Sequence, residues 1–311
     1  MTLSLIVTVY NGERYLPRFL ESLTATLARV TSDKVFFEVV VVDDASADRT
    51  AEVLANYRLP TVSFARFVRL AHSENRGLGA SRNTAMAAAT GNWYAFADAD
   101  DELMPEWAPR LSDALSAAKE VDALVFDARA EWEEGGRPGY DVVYGRSAGC
   151  VSGRAFAVDV LRARSVGARM WNKVLRRELF QGVDFVWREF EDYPVLAQIL
   201  PQVRAVGVLS EKLYVYHRRA DGLSQYTNPV GGAAALTACC EQAERTTDAD
   251  IRVAMKVGVA IMIADFLVHV PKAACDRRKI RAFLRRQAIR LFLAFDVGWR
   301  VKVKCLVGCL K

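Results

Sequence analysis

Short apolar runs alternate with helical stripes along the first part of this chain. Leu3–Tyr10 (LSLIVTVY) is apolar and β-branched, which predicts a buried strand. Pro17–Leu27 sets Phe19, Leu20, Leu23 and Leu27 at helical spacing, with Pro17 near the first turn. Phe36–Val42 (FFEVVVV) predicts a second strand, stopped by Asp43-Asp44, and Asp48 can cap a helix over Arg49–Tyr57. Val62–Leu70 reads as a third strand, Gly79–Ala89 as an Ala-rich helix, and Trp93–Ala97 as a fourth strand. A helix over Pro105–Lys119 and a short strand at Ala123–Phe126 follow. The strands are apolar on both faces, the pattern of a parallel sheet covered by helices.

Beyond that point the pattern loosens. Glu133–Gly139 is a turn-rich loop, and residues 145–225 mix short strands with motif-like islands. From about Gly231 the chain reads as helical, with Val257–Val270 a buried helix interrupted by Asp265 and His269. No stretch reaches the roughly 18–20 uninterrupted apolar residues that span a bilayer. The N-terminus has no basic region and too short an apolar run for a signal peptide, so a cytoplasmic location is expected.

Polar residues collect where the strands end. Tyr10-Asn11 follows the first strand, Asp43-Asp44 the second and Asp98-Ala99-Asp100-Asp101 the fourth. In open α/β sheets ligands bind beyond the carboxyl ends of the strands, so three segments would converge on one edge. Three like charges in four residues resist burial, so they await a positive charge. Asp98-x-Asp100 offers oxygen ligands suited to Mg²⁺ or Mn²⁺. The bland reading of that tripeptide is a solvated turn capping the next helix. No GxGxxG follows the first strand and no GxxxxGK[ST] occurs, so a phosphate ligand would need a metal ion to offset its charge.

Asn75–Asn83 (NRGLGASRN) joins glycines, which allow close backbone approach, to Arg82, which suits phosphate oxygens. Asp192, after Glu189-Phe190-Glu191, opens the helical run Val195–Leu200; it is a helix-start acid or, facing a cleft, a general base. His217 stands beside Arg218 and Arg219, which allows a phosphate or metal role.

Charge divides the chain. The net charge is +5, but the segment from Lys272 onward holds twelve basic residues and two acids, leaving residues 1–271 acidic. Arg277–Phe295 places Ile280, Phe283, Leu284, Ala288, Leu291 and Phe295 near one helical face flanked by arginines. That pattern fits a helix on an anionic membrane surface, or one packed on the main domain with a solvated basic face. The six cysteines form no CxxC pair and read as reduced thiols.

The islands IVTVYNGERYL, VVVVDDASADRT, NRGLGASRN, FADADDELMP, WNKVLRREL, FEDYPVL and LYVYHRRADGLS resemble, in order, the family 2 glycosyltransferases of bacterial polysaccharide type. The resemblance covers about residues 1–225. It implies an α/β GT-A fold, a Rossmann-like, mostly parallel sheet flanked by helices, over 1–227, and leaves a helical, basic region over 228–311. It implies an inverting enzyme that moves a sugar from a nucleotide-diphosphate sugar, most simply a UDP-sugar, to a saccharide or lipid-linked acceptor hydroxyl. Thr8, Tyr10 and Asp44 match positions that hold base and ribose, and Asn75 and Arg82 match the loop that closes on the nucleotide. Asp98 and Asp100 match the D-x-D, with Asp100 the direct ligand of a divalent metal (Mn²⁺ or Mg²⁺). Asp192 matches the catalytic base, with Glu191 beside it. His217 and Ser224 match a C-terminal segment that contacts diphosphate or metal.

The processive members carry QxxRW and membrane helices, whereas the nearest string here is QAIRL, so one sugar per encounter is expected, at the inner face of the cytoplasmic membrane if the basic helix binds there. A nucleotidyltransferase would need a glycine-rich basic signature near the first strand, which TVYNGERYL lacks. A non-catalytic nucleotide-sugar-binding module is disfavoured by the intact Asp98, Asp100 and Asp192. Nucleic acid is not an expected partner, because the tail lacks interleaved aromatics and the main domain is acidic.

Overall fold

The computed structural model describes residues 1–59, 63–117, 120–133, 137–162, 167–186, 191–219 and 229–269, with three isolated positions in the basic tail. Among the described residues ten strands form one sheet. They are β1 (Thr2–Val9), β2 (Phe36–Asp43), β3 (Ala65–Ala71), β4 (Trp93–Asp98), β5 (Glu102–Leu103), β6 (Ala123–Trp132), β7 (Tyr140–Val142), β8 (Gly149–Ser152), β9 (Lys173–Arg176) and β10 (Ala205–Arg218). Their order is β3-β2-β1-β4-β9-β6-β10-β5, with β7 on β6 and β8 on β10. β3, β2, β1 and β4 pair in parallel, and β10 pairs parallel to β6. β9 runs against both β4 and β6 and joins the two parallel blocks.

The period of two along each strand sorts side chains between two cores. Leu3, Leu5 and Val7 face a layer containing Phe19, Leu23 and Trp107. These come from α1 (Leu16–Leu27) and α4 (Trp107–Ala117). Ile6, Tyr94 and Phe96 face the opposite layer, with Ala85 of α3 (Leu78–Ala88) and Phe156 of α5 (Gly153–Leu161). Burying each large apolar side chain contributes roughly 1.5–3 kcal/mol, which both faces of this sheet supply.

α2 (Thr50–Asn56) covers part of the first layer through Leu54. α6 (Asp192–Ile199), α7 (Pro229–Arg245) and α8 (Ala249–His269) join the second. Leu236, Cys239, Met255 and Val259 share that core with Phe96, so the beginning of the C-terminal helical region packs on the sheet. The basic amphipathic stretch Arg277–Phe295 falls, apart from isolated positions, outside the described residues.

The strands match the sequence expectation closely where apolar runs are sharp. β6 differs: it continues to Trp132, six residues past the predicted end. Its second half alternates, with Ala128 and Ala130 buried and Arg129 exposed, because only one face is covered there. The long β10 was not foreseen as one element. It carries register shifts against β6 and brings Tyr214, Tyr216 and His217 to the edge where β4 ends.

Candidate active site

Register places the site. Thr8 of β1 lies between Val42 of β2 and Asp98 of β4, and Val9 lies beside Asp43. The carboxyl ends of three strands are therefore level. A cavity of about 730 Å³ opens there, lined by Thr8, Tyr10, Asn11, Glu13, Arg14 and Tyr15, by Asp44, Asp48 and Asn75, and by Asp98, Asp100, Tyr216, His217 and Arg219. This is within the usual range for a small-molecule site.

Two loops at its floor are stitched by side chains. Asn11 N donates to Ser46 Oγ at 2.9 Å, and Ala47 N donates to Asn11 Oδ1 at 2.9 Å. Gly12 N donates to Thr50 Oγ1 at 2.8 Å and Glu13 N to Asp48 Oδ2 at 3.0 Å. Asn11 and Ala45 take positive φ, 49° and 60°, to make these turns. Asparagine tolerates that conformation; alanine adopts it at a cost that the surrounding hydrogen bonds offset.

Asp44 is the fixed anion of this floor. Its Oδ1 accepts from Arg76 N at 2.9 Å and lies 2.7 Å from His72 Nδ1, while Oδ2 accepts from Gly77 N at 2.6 Å. Burial opposes the charge, but the two amides and His72 together hold the carboxyl below its ordinary value. An ionised carboxylate only accepts, so His72 carries its proton on Nδ1. Gly77 adopts φ 89°, open to glycine, to aim its amide at Asp44. The glycine of NRGLG thus approaches a protein carboxylate.

The three aspartates at the end of β4 and just after it have three different partners. Asp98 Oδ1 accepts from Arg82 Nη2 at 3.3 Å. Asp100 Oδ2 pairs with Arg219, whose guanidinium also lies 4.0 Å over the Tyr15 ring. Asp101 is fully buried: it accepts from Tyr214 Oη at 2.7 Å and from His217 N at 2.8 Å. Burial pushes the Asp101 carboxyl well up, and neighbouring Asp100 and Asp98 push it further. Asp101 therefore ties the D-x-D segment to β10, and β5 reinforces the tie by pairing Leu103 with Tyr214. Tyr214 stacks on Trp171 at 4.9 Å and 5°, which stiffens the anchor.

Arg82, Glu191 and Asp192 are not among the residues that line the cavity. Arg82 meets carboxylates instead of standing open to a phosphate. It is buried behind Asp98, where Nη1 donates to Glu191 Oε1 at 2.8 Å and to Asp192 Oδ1, and Nη2 to Asp98. Phe96 and Phe185 face its guanidinium. Burial alone would lower its pKa, but the three carboxylates raise it further above the ordinary value. Burial likewise raises the Glu191 carboxyl, with Arg82 opposing. A guanidinium with this many anions serves as their hub, set back from the lining where the sequence reading expects it to meet phosphate. The sequence held a signal for this: Arg82 shares helical spacing with Ala85 and Ala89, both buried.

Asp192 begins α6. Oδ1 meets Arg82 and Oδ2 accepts from Met170 N at 2.9 Å, and its side chain retains 19% exposure. His217 lines the cavity, but its Nε2 lies 2.7 Å from Glu102 Oε1, so that nitrogen is committed. Among the described residues no three His, Cys, Asp or Glu side chains form a metal cage. Ser224 lies outside the described residues. Sequence reasoning named Arg219 only as a neighbour of His217 and gave no role to Tyr214 or Lys173. A lysine opening the apolar run Val174-Leu175 was the available signal for the last of these.

Among the described residues no helix is long and apolar enough to cross a membrane. The fold matches, over 99% of this chain and 89% of the other, the structure of Staphylococcus aureus TarS 1–349 in complex with UDP-GlcNAc, at TM-score 0.67 and 20% identity. It also matches the Pyrobaculum calidifontis mannosyltransferase PcManGT in complex with GDP-Man and Mn²⁺, over 99% and 86%, at TM-score 0.54 and 19% identity. The architecture is the GT-A fold. By sequence the chain is 35% identical over 134 residues to the putative glycosyltransferase EpsH of Bacillus subtilis, covering 43% of this chain and 36% of that protein. It is 28% identical over 236 residues to the poly(ribitol-phosphate) beta-N-acetylglucosaminyltransferase TarS, covering 74% of this chain and 38% of that protein. The matches thus span little more than a third of those two relatives' lengths. The profile of glycosyl transferase family 2 matches residues 4–185, more than half of the chain, and the protein belongs to that family of glycosyltransferases.

Proposed function

We propose that this glycosyltransferase moves a sugar from a nucleotide-diphosphate sugar, most simply a UDP-sugar, to an acceptor hydroxyl by single displacement with inversion. The acceptor class is a growing cell-surface polysaccharide or glycolipid. The observation that carries the reading is the joining of two groups by one guanidinium. Arg82 joins Asp98, which lines the cavity, to Asp192 behind it, so a donor-side carboxylate and a candidate base share one hub.

The base and ribose would rest on the floor of Thr8, Tyr10 and Asp44, with Asn75 at the loop above. Tyr10 is half exposed, so its ring can face a ligand. The lining holds five carboxylates, from Glu13, Asp44, Asp48, Asp98 and Asp100, against the two arginines Arg14 and Arg219. A diphosphate would meet a net negative wall there. The donor set therefore fits a hard divalent cation, which needs only one or two carboxylates when phosphates complete its shell. Asp100, with Asp98 near it, would hold Mn²⁺ or Mg²⁺. When bound, such an ion supplies charge stabilisation to the departing diphosphate.

Asp192 takes the acceptor proton onto a carboxylate oxygen as the hydroxyl attacks the anomeric carbon from the face opposite the leaving group. Arg82 and the Met170 amide hold that carboxylate in place, so its ordering cost is met before the acceptor arrives. The acceptor gains the sugar, the diphosphate leaves with the bonding pair, and an α-linked donor gives a β-linked product.

The test is a panel of UDP-, GDP- and dTDP-sugars incubated with Mn²⁺ or with EDTA, beside Asp100→Ala. Release of one nucleoside diphosphate, with metal and by the wild type alone, is expected. Absence of both release and donor binding by calorimetry across the panel would overturn the reading.

A further inference from the structure

Of the WNKVL island only Trp171 has a role so far, yet its lysine is the most unusual side chain behind the site. Lys173 opens β9 and is fully buried. Its Nζ donates to Gly167 O at 3.2 Å, to Arg169 O at 2.6 Å and to Asn172 Oδ1 at 2.8 Å. An ammonium has three donors, and all three go to oxygens of one short loop. Burying an ammonium among carbonyls is costly compared with an apolar side chain of similar length. Packing alone would place methionine or leucine there.

The loop that Lys173 gathers, residues 167–172, has one outward connection that matters chemically. Met170, itself fully buried, donates its backbone N–H to Asp192 Oδ2 at 2.9 Å. Lys173 N also donates to Met170 O at 3.1 Å, and Phe126 N to Asn172 O at 3.2 Å, so the loop is closed on the sheet. Arg82 fixes the other oxygen of Asp192. The carboxylate is thus held from two sides, by a guanidinium and by an amide whose position depends on Lys173.

We propose that Lys173 is a positioning residue for sugar transfer: its buried ammonium gathers the 167–172 loop so that the Met170 amide fixes the Asp192 carboxylate. This rests on the reading of Asp192 as the base. Lys173 touches neither donor nor acceptor. Charged groups around Asp192 are Arg82, Glu191, Asp98 and Lys173 itself. Burial lowers the lysine's pKa to about 7, and the nearby Asp192 charge opposes that shift.

The experiment compares wild type, Lys173→Met, Asp192→Asn and the double variant. Turnover is read as nucleoside diphosphate released from the donor that the panel selects, and affinity for that nucleoside diphosphate by calorimetry. Lys173→Met is expected to lower kcat by about tenfold to a hundredfold, the cost of a slightly misplaced group, with affinity changed less than about threefold. In the Asp192→Asn background the same change should add less than about threefold, because there is no base left to position. Multiplying losses, or kcat within about threefold of wild type, would overturn the proposal.

Hydrogen exchange of the Met170 amide gives a readout independent of the base. It should quicken at least about tenfold in Lys173→Met while β1 amides stay protected. Unchanged exchange would refute the role of Lys173 whatever Asp192 does. Full activity of Asp192→Asn would instead overturn the base assignment and leave the Met170 measurement to decide the loop. If Lys173→Met does not fold, Asn172→Ser, which removes one of the three acceptors, is read in the same two ways.

Discussion

Replacing Arg82 with methionine separates the two roles considered for it. Methionine keeps much of the length and apolar stem but removes the cation from between Glu191, Asp192 and Asp98. The Arg82 side chain is 4% exposed and Glu191 9%, so that pair is desolvated, whereas Asp192 at 19% and Asp98 at 30% keep some water. Removing one partner of a buried pair costs about 3–5 kcal/mol, and the two wetter partners argue for the lower end, about 3 kcal/mol. For a chain of this size that is a fall in Tm of roughly 5 °C. Urea unfolding followed by tryptophan fluorescence reads the free energy.

The loss should depend on pH with a definite sign. Asp98 is raised by burial to about 6 even with Arg82 opposing, and without the guanidinium it rises further. A carboxyl whose folded pKa exceeds its unfolded value destabilises the fold at high pH, and the penalty fades as pH falls through the folded value. Arg82→Met should therefore be closer to wild type at about pH 5.5 than at about pH 7.5. Calorimetry with UDP and Mn²⁺ completes the test. A variant within about 1 kcal/mol of wild type at both pH values that no longer binds UDP would refute the hub and return Arg82 to the nucleotide.

Asp192→Asn should lower kcat by about 10²–10⁴ while calorimetry shows donor affinity within a few-fold of wild type; equal loss of both would count against the base. Gly258→Ala should destabilise by about 1–3 kcal/mol in thermal unfolding, because a Cβ there would stand 2.0 Å from Leu161 O and 2.9 Å from Tyr193 Oη, where α8 crosses the end of α5. Asp122 is held below its ordinary carboxyl value first by hydrogen bonding from Arg204, with Arg176 adding charge, while burial opposes. The unfolded chain takes up that proton at higher pH than the folded one, so the stabilisation is present above about pH 4 and lost as pH falls. Asp122→Asn should flatten the acid limb of stability against pH, and an unchanged limb would rule the pair out as its source.

Most of the Rossmann-like half was legible because its signals are local. Apolar runs such as Leu5–Val9 and Val39–Val42 need only their own composition to become buried strands, and the carboxylates that stop them mark the sheet edge. The sequence also placed Tyr10, Asp44, Asp98 and Asp100 at one edge, and the cavity lining contains all four. It determined family membership by the order of its islands, a property of the chain before any folding.

Tertiary structure decided what each charge does. Arg82 and Asp192 are 110 residues apart: helical spacing sets Arg82 on the buried face of α3, but nothing local predicts that it meets the start of α6. Asp101 looks in sequence like Asp100, yet Tyr214, 113 residues away, buries it as a tie between segments. Lys173 carries no sequence reading of its own, and its role emerges only when the 167–172 loop gathers around its ammonium. Strands and helices follow from short-range periodicity, whereas the partner of a buried charge follows from which distant segments the packed sheet brings within hydrogen-bond reach.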